Sequence, residues 1–307
     1  MFRLRSATLN VNGYGVSHPA RQGKCLHRQM TELAGKACIV TGASSGIGTA
    51  TALGLARLGA SLALVGRDSA RLEAVARSCR EAGAVDVKTY RADFGELQQV
   101  RALADELLAD WPRVDVLVNN AALVLQRREE TIDGYEKVFA VNHLAPYLLT
   151  RLLLDRLVAS APSRIVNVAS DAHTFGAMEP DDYMSTRSFR PLKVYGRSKL
   201  ANILFTSELA RRLEGTGVTV NCLHPGFVST GLARDNKLGV LFLKVAKPFI
   251  KSPADGAETT LFLASEPVAV SGEYFVDRKV HQTKDYARDP EMARRLWDDS
   301  ARLVGLD

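Results

Sequence analysis

The sequence predicts a single doubly wound α/β domain, a parallel seven-stranded sheet with helices on both faces. Three observations carry this reading. Short β-branched or apolar runs recur along the chain, separated by stretches long enough to hold a helix. The first run ends in a glycine-rich turn that opens straight into a helical pattern. From Lys36 onward no linker, repeat or composition shift divides the chain, and 307 residues suffice for one large core.

The strands are taken in order. KACIVT (36–41) is the first, followed by TGASSGIG (41–48) and the helix-like run TATALGLARLG. SLALVG (61–66), VKTYR (87–91), VDVLVNN (114–120), RIVNVAS (164–170) and VTVNCLHP (218–225) follow, with a seventh strand near EYFV (273–276). Helix-length intervals between them mean crossovers, hence parallel pairing with both faces covered.

The glycine-rich turn sits where a dinucleotide is held in such sheets. Gly42, Gly46 and Gly48 lack the Cβ atoms that would keep a pyrophosphate away, and the following helix aims its N-terminal N–H groups at the phosphates. Ser44, Ser45 and Ile47 complete the turn. At the end of the second strand, Gly66 stands where an acid would bind a ribose 2′-OH, and Arg67 follows. A guanidinium pairs well with a 2′-phosphate, so NADP is favoured over NAD, with Asp68 as the competing observation. Read alone, Arg67 and Asp68 could also open a solvated helix as a cap.

A third element is YGRSK (195–199), inside a helical run. Tyr195 and Lys199 fall one turn apart on one face, where an ammonium would favour the phenolate and lower the phenol's pKa. That spacing alone is common on solvated helices. Its meaning comes from its company.

In combination and in order, TGASSGIG, Asp93 after the third strand, NNAA (119–122), Asn142 in VNHLAPY, Ser170 in VNVAS, YGRSK and PGFVST (225–230) resemble the short-chain dehydrogenases/reductases, a Rossmann-type family. The resemblance spans Lys36 to about Leu306. VASDAH, the long interval from Ser170 to Tyr195, YGRSKLANILFT and the C-terminal SGEYFVDRK…RRLWDDSARLVGL are similar to the retinol dehydrogenase-like branch. Ala122 departs from the family's usual glycine. The resemblance implies a proton-transferring Tyr195, a Lys199 that lowers its pKa and holds the nicotinamide ribose, and a Ser170 that orients the reacting oxygen. It implies an Asn142 that distorts its helix and holds a water linking Lys199 to solvent. Asp93, Asn119 and Ala121 would lie along the cofactor, with Pro225, Gly226, Val228 and Thr230 bordering the nicotinamide.

The implied function is NADP(H)-dependent hydride transfer between nicotinamide and a carbonyl or alcohol of a bulky apolar substrate. Retinal-like compounds, steroids, lipid aldehydes and aromatic ketones all fit. A catalytically silent NADP-binding regulator, or an epimerase or dehydratase on the same scaffold, is the alternative, and the intact Asn142, Ser170, Tyr195 and Lys199 favour catalysis. His173 and His224 are read as structural.

Charge argues against nucleic acid as a partner. Five of the six net positive charges come from Arg3, Arg5, Arg21, Lys24 and Arg28, in a segment with no acid, so the remainder is near +1. Residues 1–29 have the composition of a mitochondrial transit peptide, or else are a disordered tail or a misassigned start with Met30 as the real one. His18-Pro19 and several glycines favour the second reading, which leaves 30–307 as the domain. Cys25, Cys38, Cys79 and Cys222 are scattered, which predicts reduced thiols, a cytoplasmic setting and no metal site. No run is long enough for a transmembrane anchor. Residues 238–253, apolar and flanked by Lys237, Lys244, Lys247 and Lys251, read as a lid over an apolar substrate or as a peripheral membrane helix. Self-association as a homodimer is compatible with this reading.

Overall fold

The computed structural model describes residues 32–227 and 251–306. The chain runs β1 (Ala37–Thr41), α1 (Gly46–Arg57), β2 (Ser61–Gly66), α2 (Ser69–Ala82), β3 (Val87–Arg91), α3 (Leu97–Asp110) and β4 (Val116–Asn119). Three short helices follow: α4 (Lys137–Phe139), α5 (Ala145–Leu152) and α6 (Leu154–Ala159), the first two joined by a π-helical turn (Ala140–Leu144). Then come β5 (Ser163–Val168), α7 (Pro191–Arg212), β6 (Val218–His224), α8 (Pro253–Ser265), β7 (Tyr274–Val276), β8 (Lys279–Val280) and α9 (Pro290–Val304).

The sheet order is β3-β2-β1-β4-β5-β6-β7-β8. β1 to β7 pair parallel throughout, as the alternation of strand and helix predicts. An eighth strand adds to the seven: β8 folds back antiparallel on β7. Its two-residue turn, Asp277 and Arg278, has left-handed φ values of 48° and 64° without a glycine, so the usual hairpin signature is missing from the sequence.

Alternate strand residues feed two cores. On β1, Ile39 joins Leu107, Leu144, Leu204 and Leu296 on one side of the sheet, whereas Cys38 and Val40 join Leu55, Leu72 and Leu261 on the other. A fully buried leucine contributes about 2 kcal/mol, so each layer clamps the sheet firmly. The order reverses beside β1, whose neighbours are β2 and β4. Beyond their carboxyl ends the chain leaves β1 for the layer of Leu55 and β4 for the layer of Leu144, on opposite faces, and such sheets bind ligands at this switch point.

At the opposite end of β4, one buried carboxylate ties the start of β1 to the segment leading into β4. Asp115 accepts from Lys36 Nζ at 3.0 Å, the Ala37 N–H at 2.9 Å and Arg113 Nε at 2.7 Å. Burial pushes its carboxyl upward, but the Arg113, Ala37 and Lys36 bonds outweigh that and hold it below the usual range. Its stabilisation is therefore present above the unfolded carboxyl pKa, near 4, and is lost as pH falls through the lower folded value. Asp115→Asn should cost about 2 kcal/mol at neutral pH, and the difference from the unsubstituted protein should close below about pH 4. Urea denaturation at several pH values reads this.

Candidate active site

The glycine-rich turn after β1 is stapled to the turn after β4. Thr41 Oγ1 accepts from the N–H groups of Asn120 at 2.9 Å and Ala121 at 3.0 Å, and Asn120 Nδ2 donates to the Thr41 carbonyl at 2.8 Å. Two glycines are sterically required. Gly42 has φ 68°, and a Cβ there would lie 2.9 Å from Ala121 Cα; a Cβ on Gly48 would lie 2.2 Å from the Gly42 carbonyl oxygen. Ser45 occupies the N-cap of α1 but makes no side-chain cap bond, and no acid lies in the first turn. A twelve-residue helix thus presents its N-terminal N–H groups at the switch point with no side chain bonded to them, a donor set that fits a pyrophosphate. Ser44, Gly46 and Ile47 line the same turn, with Ser44 Oγ beside Gly66 at the end of β2.

Arg67, exposed, follows that strand end. Asp68 is engaged elsewhere: as N-cap of α2 its carboxylate accepts from the Arg71 N–H at 3.0 Å and pairs with Arg71 Nε at 3.1 Å. Arg91, level with Gly66 on β3, places a second guanidinium at this corner, its Nε donating to the Arg67 carbonyl at 3.3 Å. Asp93 begins the next loop, one carboxylate oxygen accepting from the Gly95 N–H at 2.8 Å. Asn119 is turned inward: its Nδ2 donates to Thr150 Oγ1 at 2.9 Å and Asn167 Oδ1 at 2.8 Å, leaving Asn120 as the member of the pair that holds the glycine turn. Ala121 is half-buried next to it.

Ser170, Tyr195 and Lys199 meet at the carboxyl end of β5. Ser170 ends the strand run and caps a 3-10 turn (Asp171–Phe175), accepting from the Ala172 N–H at 3.2 Å. Its side chain lies near enough to Tyr195 to pull the phenol's pKa downward. Lys199 is buried, its Nζ donating to the Val168 carbonyl at 2.9 Å and standing 5.6 Å from the Tyr195 ring centre. Burial pulls this ammonium down to about 8. Burial also pushes the Tyr195 phenol up to about 12, with the Ser170 side chain opposing, although part of the residue remains open to solvent. The sequence expectation of a depressed phenol is thus reversed in the protein alone: desolvation outweighs the Ser170 side chain, and the Lys199 ammonium is turned to a carbonyl.

Asn142 lies in the π-helical turn, buried. Its Oδ1 accepts from the Leu123 N–H at 2.8 Å, its Nδ2 donates to Ser198 Oγ at 3.0 Å, and its carbonyl accepts from Asn202 Nδ2 at 2.9 Å. These bonds fix the turn against the face of α7 that carries Lys199. His143 beside it is buried between Asn202 and Ser300, and burial lowers it to about 4.

Pro225 and Gly226 leave β6 half-buried. Val228, Thr230 and the stretch 231–250 lie outside the described residues, so most of 238–253 does too, as do residues 1–31. His173 and His224 have structural partners: His173 Nδ1 lies 2.9 Å from the Ser170 carbonyl, and His224 Nε2 lies 3.3 Å from Asp171, whose other oxygen accepts from Tyr274 at 2.7 Å. Sequence reasoning passed over Asn120, Asn202 and Arg197. The last is buried in the middle of YGRSK, where only its unusual place on an inward helix face could have marked it.

The short chain dehydrogenase family model matches residues 36–239. Human retinol dehydrogenase 14 is 46% identical over 292 residues, covering 89% of this chain and 87% of the relative. An uncharacterised protein from Mycobacterium paratuberculosis superposes with a TM-score of 0.75 at 33% identity, over 91% of this chain and 96% of that one. L-sorbose reductase from Gluconobacter frateurii, solved with NADPH and L-sorbose, gives 0.67 at 27% identity, over 83% and 99%. With a Rossmann-type sheet, a glycine turn at its switch point and Ser, Tyr and Lys at the neighbouring strand end, this chain belongs to the short-chain dehydrogenase/reductase family, in its retinol dehydrogenase-like branch, and is an oxidoreductase of the nicotinamide-dependent kind.

Proposed function

We propose that the protein transfers a hydride between NADP(H) and a carbonyl or alcohol of a bulky apolar substrate, with Tyr195 as acid and base. The observation that carries this is the convergence of Ser170, Tyr195 and buried Lys199 at the carboxyl end of β5, with Lys199 Nζ on the Val168 carbonyl and 5.6 Å from the Tyr195 ring centre. In reduction, the substrate oxygen sits against both hydroxyls; Ser170 orients it, and Tyr195 gives up its proton as negative charge develops. A phenol held near 12 keeps that proton until the oxygen demands it. Lys199, lowered by burial to about 8 and still protonated at neutral pH, is the cation one helical turn from Tyr195 from which its proton would be resupplied. The bound cofactor supplies the hydride and, with it, the ribose that Lys199 would hold.

Arg67, with Arg91 behind it, supports NADP: two guanidiniums and a capping-engaged Asp68 make a corner suited to a 2′-phosphate. Asp93, Ala121, Pro225, Gly226, Val228 and Thr230 are proposed along the rest of the cofactor, and Asn119 as a support behind it. Phe175, Leu192 and Phe227, each more than half exposed on segments flanking the catalytic residues, support an apolar substrate. Among the described residues no helix is long and apolar enough to cross a membrane, and a cytoplasmic protein spanning 30–307, touching membrane at most peripherally through 238–253, is the arrangement we favour. A panel of aldehydes and ketones scored by NADPH oxidation tests the reading. Turnover is expected on bulky apolar members, and binding of NADPH without turnover on any member would favour the silent regulator.

A further inference from the structure

Arg197 is two residues from Tyr195 and two from Lys199, yet it is only 2% exposed and touches neither. All its donors go to one loop. Nε bonds the Ala177 carbonyl at 3.1 Å; Nη1 bonds the Asp182 carbonyl at 2.5 Å, the Tyr183 carbonyl at 3.3 Å and Ser185 Oγ at 3.0 Å; Nη2 bonds Glu179 Oε2 at 2.8 Å. A planar fork reaches acceptors spread over nine residues, which an ammonium could not do. Ser185 is held at φ 51°, a left-handed conformation unfavourable for a serine, and the bond from Arg197 offsets that cost.

The turn that leads into this loop touches the catalytic helix backbone to backbone. A Cβ on Gly196 would lie 2.4 Å from the Ala172 carbonyl oxygen, and one on Gly176 would lie 2.5 Å from the Arg197 nitrogen. Because Ala172 follows Ser170 by two residues, this contact helps set the spacing of Ser170 and Tyr195. Farther along, the Met184 carbonyl accepts from Arg128 Nε at 3.0 Å, so the 123–130 segment hangs on the loop that Arg197 holds. Loop 177–185 and, through Arg128, the 123–130 segment are thereby tied to one guanidinium of the catalytic helix.

We propose that Arg197 is a specificity-determining positioning residue: rooted in the catalytic helix, it fixes loop 177–185 and through it the wall that accepts the bulky part of the substrate. It touches neither the reacting atoms nor the cofactor turn, so its loss should act on substrate fit rather than on hydride donor binding. This inference rests on the proposed carbonyl chemistry.

The test uses the full chain with Arg197→Met, Arg197→Lys and Glu179→Gln, the last neutralising a half-exposed loop acceptor that Arg197 shares with Lys193 Nζ. Steady-state rates with NADPH are measured on one bulky apolar and one small aliphatic carbonyl, beside NADPH affinity by fluorescence and amide hydrogen exchange of 177–185. In Arg197→Met, KM for the bulky carbonyl should rise about tenfold, with kcat, the small carbonyl and NADPH affinity each changed by less than about threefold. Arg197→Lys should fall between, and Glu179→Gln should move in the same direction by about threefold. If Arg197→Met does not fold, the other two carry the comparison. An unchanged ratio of bulky to small KM, or a parallel loss on both carbonyls and NADPH, would overturn the proposal. Exchange separates its failure from that of the catalytic reading, since it needs no substrate: faster exchange in 177–185 is expected in Arg197→Lys, and unchanged exchange overturns the tether, whereas an unsubstituted protein inert on every carbonyl defeats the chemistry instead.

Discussion

Tyr195→Phe is expected to lower turnover by about 10²–10⁴-fold while fold and NADPH affinity survive. The ring and its packing remain, and the only deleted atom is the hydroxyl oxygen proposed to transfer the proton. Lys199→Ala should leave a different signature. It removes a buried ammonium together with the bond to the Val168 carbonyl, so both turnover and NADPH affinity should fall. NADPH titration by fluorescence beside steady-state rates distinguishes the pair. Near-normal turnover in Tyr195→Phe would remove the proposed acid.

Arg67→Asp carries the second large effect. A charge-assisted pair to a phosphate is replaced by a like charge, so NADPH affinity should fall about a hundredfold while NADH affinity holds or improves. Because Arg67 is exposed, the loss should shrink at high salt. Equal affinities for the two cofactors in the unsubstituted protein would contradict the assignment of this corner.

The parallel sheet was legible because each strand is a short apolar run with a helix-length interval after it. β8 was not, since two exposed residues after Asp277 and Arg278 carry neither periodicity nor a turn glycine. The site was legible where chemistry dictates residue type: glycines at a crowded turn, and a phenol and an amine one helical turn apart. It was less so where burial decides. Nothing in the spacing of Tyr195 and Lys199 reveals that Nζ points at Val168 and that desolvation outweighs attraction. Adjacent asparagines likewise gave no sign that Asn119 turns inward and Asn120 toward the glycine turn, because that follows from which side chain the end of β4 sends to each face. Arg197 went unmarked within YGRSK for the same reason: its partners include carbonyls of a loop whose path the sequence does not specify.

Isotope transfer tests the central claim most directly. NADPH deuterated at nicotinamide C4, in each of the two stereochemical forms, is incubated with the protein and the best carbonyl of the panel, and the alcohol is examined by mass spectrometry. Direct hydride transfer predicts one deuterium on the carbinol carbon from one of the two forms and none from the other. Alcohol formed without deuterium from either, or NADPH bound and left unoxidised with every carbonyl, would contradict it.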